Sequence, residues 1–178
     1  MDSKGKRLAM GFGWGVVAAI AMAILTILGH TTGISPIPKP IPLALVAKVV
    51  GLVTGGKLAM PLLIALAAAS HLAYGGVWGA VLWALTRPVT MGKALGLGLF
   101  LWLLMQVIVL PFLGWGVFGS AVSLGIAGAT LILHLVYAIT LGAAGSLRDR
   151  TQRSRSPHTQ THARASAPST DTITSTRR

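Results

Sequence analysis

The chain has 178 residues, of which 53% are hydrophobic and only 10% are charged, and its mean hydropathy is +0.74. A soluble domain usually carries about 25% charged residues, so this composition indicates an integral membrane protein. The formal net charge of +12 would favour nucleic acid as a partner of a soluble chain. Here most cations flank apolar segments or lie in the C-terminal tail, where they meet anionic lipid headgroups. We expect the lipid bilayer as the partner, and no nucleic acid.

The residue types that carry most enzyme chemistry are scarce. The chain has no cysteine, which excludes disulfides and Cys-ligated metals. Its three acidic residues, Asp2, Asp149 and Asp171, all lie outside the apolar segments. The sequence contains no phosphate-binding loop, nucleophile elbow or His-Glu zinc motif. We predict a non-enzymatic protein without catalytic residues or a metal site.

The first predicted span covers residues 8–29, which carry no charge. Small residues recur every four positions in it, at Gly11, Gly15, Ala19 and Ala23. Such a face allows close helix packing. The alternative is a cleaved signal peptide, because Ala21-Met22-Ala23 imitates a cleavage site. The apolar run continues through residues 24–28, which favours the span.

A loop with four alternating prolines follows, and proline favours extended backbone there. The apolar stretch 43–54 is too short to cross a bilayer and contains Lys48. We predict a short interfacial helix whose lysine reaches water.

The second predicted span, residues 58–85, has two side chains that can ionise, His71 and Tyr74. Gly75 and Gly79 follow them on the same segment, and we expect both glycines to allow close helix packing. A helix rises about 1.5 Å per residue, so this segment is long enough for a hydrocarbon core of about 30 Å.

The third predicted span, residues 94–113, has Gln106 as its only strongly polar side chain. The fourth, residues 118–145, contains His134 and Tyr137, with Gly142 as another packing glycine. The tail, residues 151–178, is rich in Ser, Thr, Arg and Pro, cannot bury a core, and is expected to be disordered. Residues 1–150 then form a four-helix transmembrane domain.

The cations near the span ends predict the orientation. Nine lie on one side and three on the other. The nine are Lys4, Lys6, Arg7, Arg87, Lys93, Arg148, Arg150, Arg153 and Arg155; the three are Lys39, Lys48 and Lys57. The positive-inside rule therefore predicts that both termini are cytoplasmic.

The two halves of the chain look related. The second helices correspond at a constant offset of 63 residues, which pairs His71 with His134 and Tyr74 with Tyr137. In the first helices, Gly11-Phe12-Gly13 resembles Gly96-Leu97-Gly98 at an offset of 85. We therefore predict an all-α integral membrane protein of four transmembrane helices, built as two parallel helix-hairpin repeats. The short interfacial helix lies between helices 1 and 2.

Several of these features resemble the YagU-type family of small, uncharacterised bacterial inner-membrane proteins. They are Arg87-Pro88 with its basic turn, a Gly-rich third helix ending in Pro111-Phe112-Leu113-Gly114, and His134-Leu135-Val136-Tyr137 before a basic end. The resemblance covers roughly residues 69–150 and implies a four-span fold in the inner membrane. The family's molecular activity is unassigned apart from an association with acid tolerance. The Pro-rich first loop and the Ser/Thr/Arg tail depart from the pattern.

Polar side chains inside spans are functional-site hypotheses, because they must face a partner rather than lipid. We single out His71, Tyr74, His134 and Tyr137, with Gln106 as a helper. One interpretation is structural, with hydrogen bonds to neighbouring helices and an interaction role for the protein. A second is a proton- or small-solute-linked carrier or pore. A third is haem b held by His71 and His134. A second copy of the chain, or another membrane protein, is a candidate partner.

Overall fold

A computed structural model describes residues 3–56 and 58–154. The chain divides into two units, Met1–Ser146 and Leu147–Arg178. The residues that build the candidate site all lie in the first unit. Lys57 and residues 155–178, which include most of the tail predicted to be disordered, lie outside the described residues.

Every regular element in the described part of the chain is a helix. In chain order they are α1 (Ser3–Thr31), α2 (Ile41–Thr54), α3 (Met60–Leu85), α4 (Met91–Leu113) and α5 (Gly125–Ser154). Four of them, all except α2, are long and apolar enough to cross a membrane. The predictions of an all-helical chain and of four candidate spans are therefore confirmed.

The fourth long helix begins at Gly125, rather than at residue 118 as the sequence indicated. The intervening segment contains one turn of 3₁₀-helix, Val117–Gly119. Gly116, Phe118 and Gly119 all have positive φ, a left-handed backbone that ends regular helix. The apolar composition of this segment gives no sign that regular helix is interrupted, because hydropathy carries no information on the backbone angle φ.

Helices α1 and α3 pack antiparallel with almost no side chains between them. A Cβ added at Gly15 would lie 2.9 Å from the carbonyl carbon of Gly75, and one added at Gly79 would lie 2.7 Å from the Cα of Gly15. A Cβ added at Gly11 would likewise lie 2.7 Å from the Cβ of Trp83. Glycine is what lets the two backbones approach this closely.

The same two helices are also joined at one end. The Arg7 guanidinium donates hydrogen bonds to the backbone carbonyls of Trp83 and Thr86, the latter at 3.0 Å. These carbonyls lie at the C-terminal end of α3, where the last turn of a helix leaves acceptors without intrahelical donors. The cation thus caps α3 and fixes the beginning of α1 beside its end.

Helices α4 and α5 form the second close pair. A Cβ added at Gly98 would lie 2.8 Å from the Cβ of Ala138 and 2.9 Å from the His134 carbonyl oxygen. The Trp102 indole N–H donates to the Ala127 carbonyl at 3.1 Å. Gly142 packs against Met91, whose sulfur would be 2.6 Å from an added Cβ. This glycine therefore allows close packing of α5 against the start of α4, and not of α1 against α3.

Helix α4 contains a wide π turn at Met105–Val109. Pro111 follows it, and proline can neither donate an N–H nor tolerate the carbonyl four residues earlier in a regular helix. The backbone widens just before the proline, as is common where the hydrogen-bond ladder is interrupted. The wide turn carries Gln106 into the interior of the bundle, where its side chain is 0% exposed.

Candidate functional site

A cavity of about 480 Å³ lies among α1, α2, α3, α4 and α5. Its wall is mostly aliphatic. The polar side chains in the wall include all four residues of the predicted His/Tyr set, His71, Tyr74, His134 and Tyr137. Among the described residues that line the cavity, none is Lys, Arg, Asp or Glu.

His71 reaches from α3 to α1. Its Nε2–H donates to the backbone carbonyl of Ala19 at 3.2 Å. The side chain that the sequence singled out on α3 therefore bonds a neighbouring helix, and it does so through backbone rather than through another side chain.

His134 bonds within its own helix. Its Nδ1–H donates to the carbonyl of Thr130, one turn earlier, at 2.8 Å. The ring is buried, and the bond fixes which nitrogen carries the hydrogen. Nε2 of His134 is then left as an acceptor.

The two tyrosines have different environments. The Tyr137 hydroxyl is buried and donates to the Gly75 carbonyl in α3 at 2.6 Å. Tyr74 is 45% exposed and packs edge-on against Trp78, with ring centroids 6.2 Å apart. Tyr137 thus joins the two close helix pairs, whereas Tyr74 lies at the exposed rim of the cavity.

Gln106 is not among the described residues that line the cavity, and its described hydrogen bond is to Thr130 rather than to a histidine. Its Nε2 donates to the Thr130 hydroxyl at 2.8 Å, and Thr130 in turn donates to the Ile126 carbonyl at 2.7 Å. Thr130 lines the cavity, so Gln106 lies one residue behind the wall. In the part of the chain that the structure describes, its Oε1 is buried without a hydrogen-bond partner.

Part of the wall was not foreseen from the sequence. The Pro-rich segment and the first turns of α2 line the cavity through Ile37, Pro40, Ile41, Pro42, Leu43 and Leu45. Further along α2, the Lys48 ammonium lies 5.3 Å from the ring centroid of Phe112. Lys48 therefore makes a cation–π contact with α4. The available signal was the Pro-rich loop followed directly by an apolar stretch too short to cross a bilayer.

The two imidazoles do not offer a bis-histidine haem an equivalent pair of ring nitrogens. Such a haem takes one ring nitrogen from each histidine, on opposite faces of the iron. His134 offers Nε2, but His71 directs its own Nε2–H at the Ala19 carbonyl. No cationic side chain among the described lining residues is placed to pair with haem carboxylates. Within residues 3–56 and 58–154, no group of three or more His, Asp or Glu side chains could hold a metal ion.

Comparison of the chain with protein-family models, with curated proteins and with solved structures found no match.

Proposed function

We propose that this chain is a multi-pass membrane protein that binds a small, mainly apolar molecule in the cavity between its helices. The observation that carries the proposal is the cavity of about 480 Å³ whose aliphatic wall contains the four His and Tyr side chains. Binding sites for small molecules are concave, mostly apolar and roughly 300–1,000 Å³ in volume, with a few polar groups that orient the ligand. This cavity has each of those properties.

The proposed role is binding or interaction rather than catalysis. The cavity wall, as far as it is described, offers no carboxylate and no ammonium group. The hydrogen bonds from His71 to α1 and from Tyr137 to α3 also support a structural contribution, because they connect helices. We propose that the same side chains hold the bundle together and shape the cavity.

A proton- or small-solute-linked carrier or pore is the second candidate. It is favoured by the two imidazoles, which line one cavity between the two helix pairs. His71→Gln and His134→Gln keep hydrogen-bonding capacity but remove the titrating imidazole. A proton-linked carrier should therefore lose proton flux in liposomes, while its folding is unchanged. Unchanged flux in both variants would remove this candidate.

We propose the bacterial inner membrane as the location, with both termini cytoplasmic. The cation count supports this orientation. The bond from Arg7 to the end of α3 supports it too, because it places the start of α1 and the end of α3 at one end of the bundle. The basic ends would contact anionic headgroups, and a second copy or another membrane protein is the proposed protein partner. Kinship with the YagU-type family is proposed on the sequence resemblance alone.

We also propose that the two helix pairs are repeats. The buried positions of the first helices support an offset of 83 rather than the 85 read from the Gly-x-Gly pattern. The positions are Gly11, Gly15 and Ala18 in α1, and Ala94, Gly98 and Leu101 in α4. An offset of 85 would instead pair Gly11 with Gly96, around which an added Cβ meets nothing within 4 Å.

Photolabelling with a neutral, apolar diazirine tests the binding proposal in the purified full chain. We expect labelled residues in the cavity wall, such as Met22 and Met105, in addition to lipid-facing positions. Ala68 and Ala69 are adjacent and exposed, but only Ala68 lines the cavity. Ala68→Phe should therefore reduce labelling of the wall, and Ala69→Phe should not. Wall labelling that is absent, or equal in the two variants, would overturn the proposal.

A further inference from the structure

We infer that the cavity selects a ligand that donates a hydrogen bond: a neutral alcohol, phenol or amine on an otherwise apolar body. The inference rests on the proposed function and adds the chemical class of the ligand. It follows from where the hydrogens of the polar side chains in the wall are directed.

Both imidazoles line the cavity, and each retains one ring nitrogen that can only accept a hydrogen bond. A backbone carbonyl has lone pairs and no hydrogen, so the ring nitrogen facing it carries the hydrogen. That nitrogen is Nε2 in His71, which faces Ala19, and Nδ1 in His134, which faces Thr130. A neutral imidazole has one N–H only. Nδ1 of His71 and Nε2 of His134 are therefore acceptors.

The hydroxyl groups in the wall follow the same pattern. Each donates its hydrogen to a backbone carbonyl and retains only lone pairs for a ligand. The bonds are Tyr137 to Gly75 at 2.6 Å, Ser70 to Ala67 at 3.1 Å, Thr26 to Met22 at 2.9 Å and Thr130 to Ile126 at 2.7 Å. The Thr130 hydroxyl also accepts a hydrogen bond from the Gln106 amide.

Few donors remain in the described wall. Tyr74 makes no hydrogen bond to a backbone carbonyl, but it lies at the exposed rim. At the start of α2, Pro40 and Pro42 have no N–H, which leaves the first-turn N–H groups of Ile41 and Leu43. The buried polar side chains of the wall, Thr130, His134 and Tyr137, offer acceptors only.

This distribution discriminates between ligands of similar shape. A ligand hydroxyl or amine placed at His134 gains a hydrogen bond. A ligand carbonyl or carboxylate would instead place its own lone pairs against the lone pair of the imidazole nitrogen. A buried polar group without a partner is costly. With no cation in the described wall, an anionic ligand would also be desolvated without a charged partner. We expect a preference of about tenfold for a donor over its non-donating analogue.

Calorimetric titration of the purified full chain with 2-naphthol and with 2-methoxynaphthalene tests the inference. The two probes share an aromatic body, and only the naphthol has an O–H. The ether is the more lipophilic, so binding driven by apolar contact alone would favour the ether. Heats from protein-free micelles are subtracted for each probe. We expect the naphthol to bind about tenfold more tightly.

Two variants locate the acceptor. His134→Leu removes it and should make the two affinities equal, while His134→Gln retains an acceptor oxygen and should keep the preference. Equal binding of the two probes to the wild-type chain, or a preference that survives in His134→Leu, would overturn the inference and leave the proposed function intact. Binding of neither probe would overturn both. The wild-type comparison decides the question even where a variant does not fold.

Discussion

The Tyr137 hydroxyl donates a 2.6 Å hydrogen bond to the backbone carbonyl of Gly75, which joins α5 to α3. Gly75 also lies where the backbones of α1 and α3 approach closely. This one bond therefore connects α5 to the close contact between α1 and α3. The phenol therefore acts as a tether between pairs as well as part of the cavity wall.

Tyr137→Phe should lower the free energy of unfolding by about 0.6 kcal/mol, and by no more than about 1.7 kcal/mol, the range measured for bonds between transmembrane helices. The measurement is unfolding of the purified protein by denaturant titration in detergent. Tyr74→Phe is the comparison variant, since the Tyr74 hydroxyl is hydrogen-bonded to Trp78 on the same helix, so its removal should not weaken the link between the helix pairs. Equal effects of the two changes would contradict the tether.

Gly15→Ala should destabilise the α1–α3 contact. The added Cβ would lie 2.9 Å from the carbonyl carbon of Gly75, so the backbones must separate. Overpacking of this kind costs about 1–3 kcal/mol. Gly13→Ala, two residues away on the same helix, meets nothing within 4 Å and should not destabilise the protein. A stable Gly15→Ala variant with unaltered unfolding would contradict the close approach.

Thr130→Val should be destabilising, and Gln106→Met should relieve it. With valine at this position, neither the NH₂ group nor the carbonyl oxygen of the buried Gln106 amide has a hydrogen-bond partner among the described residues. We expect this to lower the free energy of unfolding by about 1–3 kcal/mol. Gln106→Met alone removes one hydrogen bond and one unpaired oxygen together, so its stability should equal or exceed that of the wild type. A double-mutant cycle measures the coupling. Additive single effects would show that the two side chains do not interact.

Single-cysteine labelling should show both termini on the cytoplasmic side. The chain has no native cysteine, so each introduced residue reports alone. Ile34→Cys, at a side chain that is 82% exposed, should react with a membrane-impermeant maleimide in intact cells. Gly92→Cys, where an added Cβ meets nothing within 4 Å, should react only after permeabilisation. The reverse pattern would invert the proposed topology.

The visible spectrum of the purified protein should lack a haem Soret band, because Nε2–H of His71 is directed at Ala19. A Soret band that disappears in both His71→Gln and His134→Gln would show that the imidazoles can turn to bind iron.

Much of the architecture could be predicted from the sequence because membrane spans leave a local signal. Four apolar runs gave four helices of spanning length. Small residues spaced four apart marked the face of α1 that meets α3, at Gly11 and Gly15. The isolated polar residues His71 and His134 were conspicuous against apolar neighbours, and the structure places both in one cavity.

What the sequence did not predict depends on tertiary contacts or on backbone angles. Nothing local shows that α2 closes part of the cavity, because that contact joins segments far apart in the chain. The wide turn at Met105–Val109 placed Gln106 behind the wall rather than beside the histidines. The late start at Gly125 depends on positive φ at three preceding residues.

The glycine contact between α1 and α3 has a mechanical consequence. Gly15, Gly75 and Gly79 have no side chains whose rotamers could adjust, so this contact can change only by moving whole backbones. The cavity wall also contains Met22, from α1, and Met105, from α4, whose unbranched side chains have three rotatable bonds each. The methionine side chains can change rotamer where the glycine contact cannot, so ligands of different outline would be accommodated at the methionines while the backbones of the α1–α3 pair stay fixed.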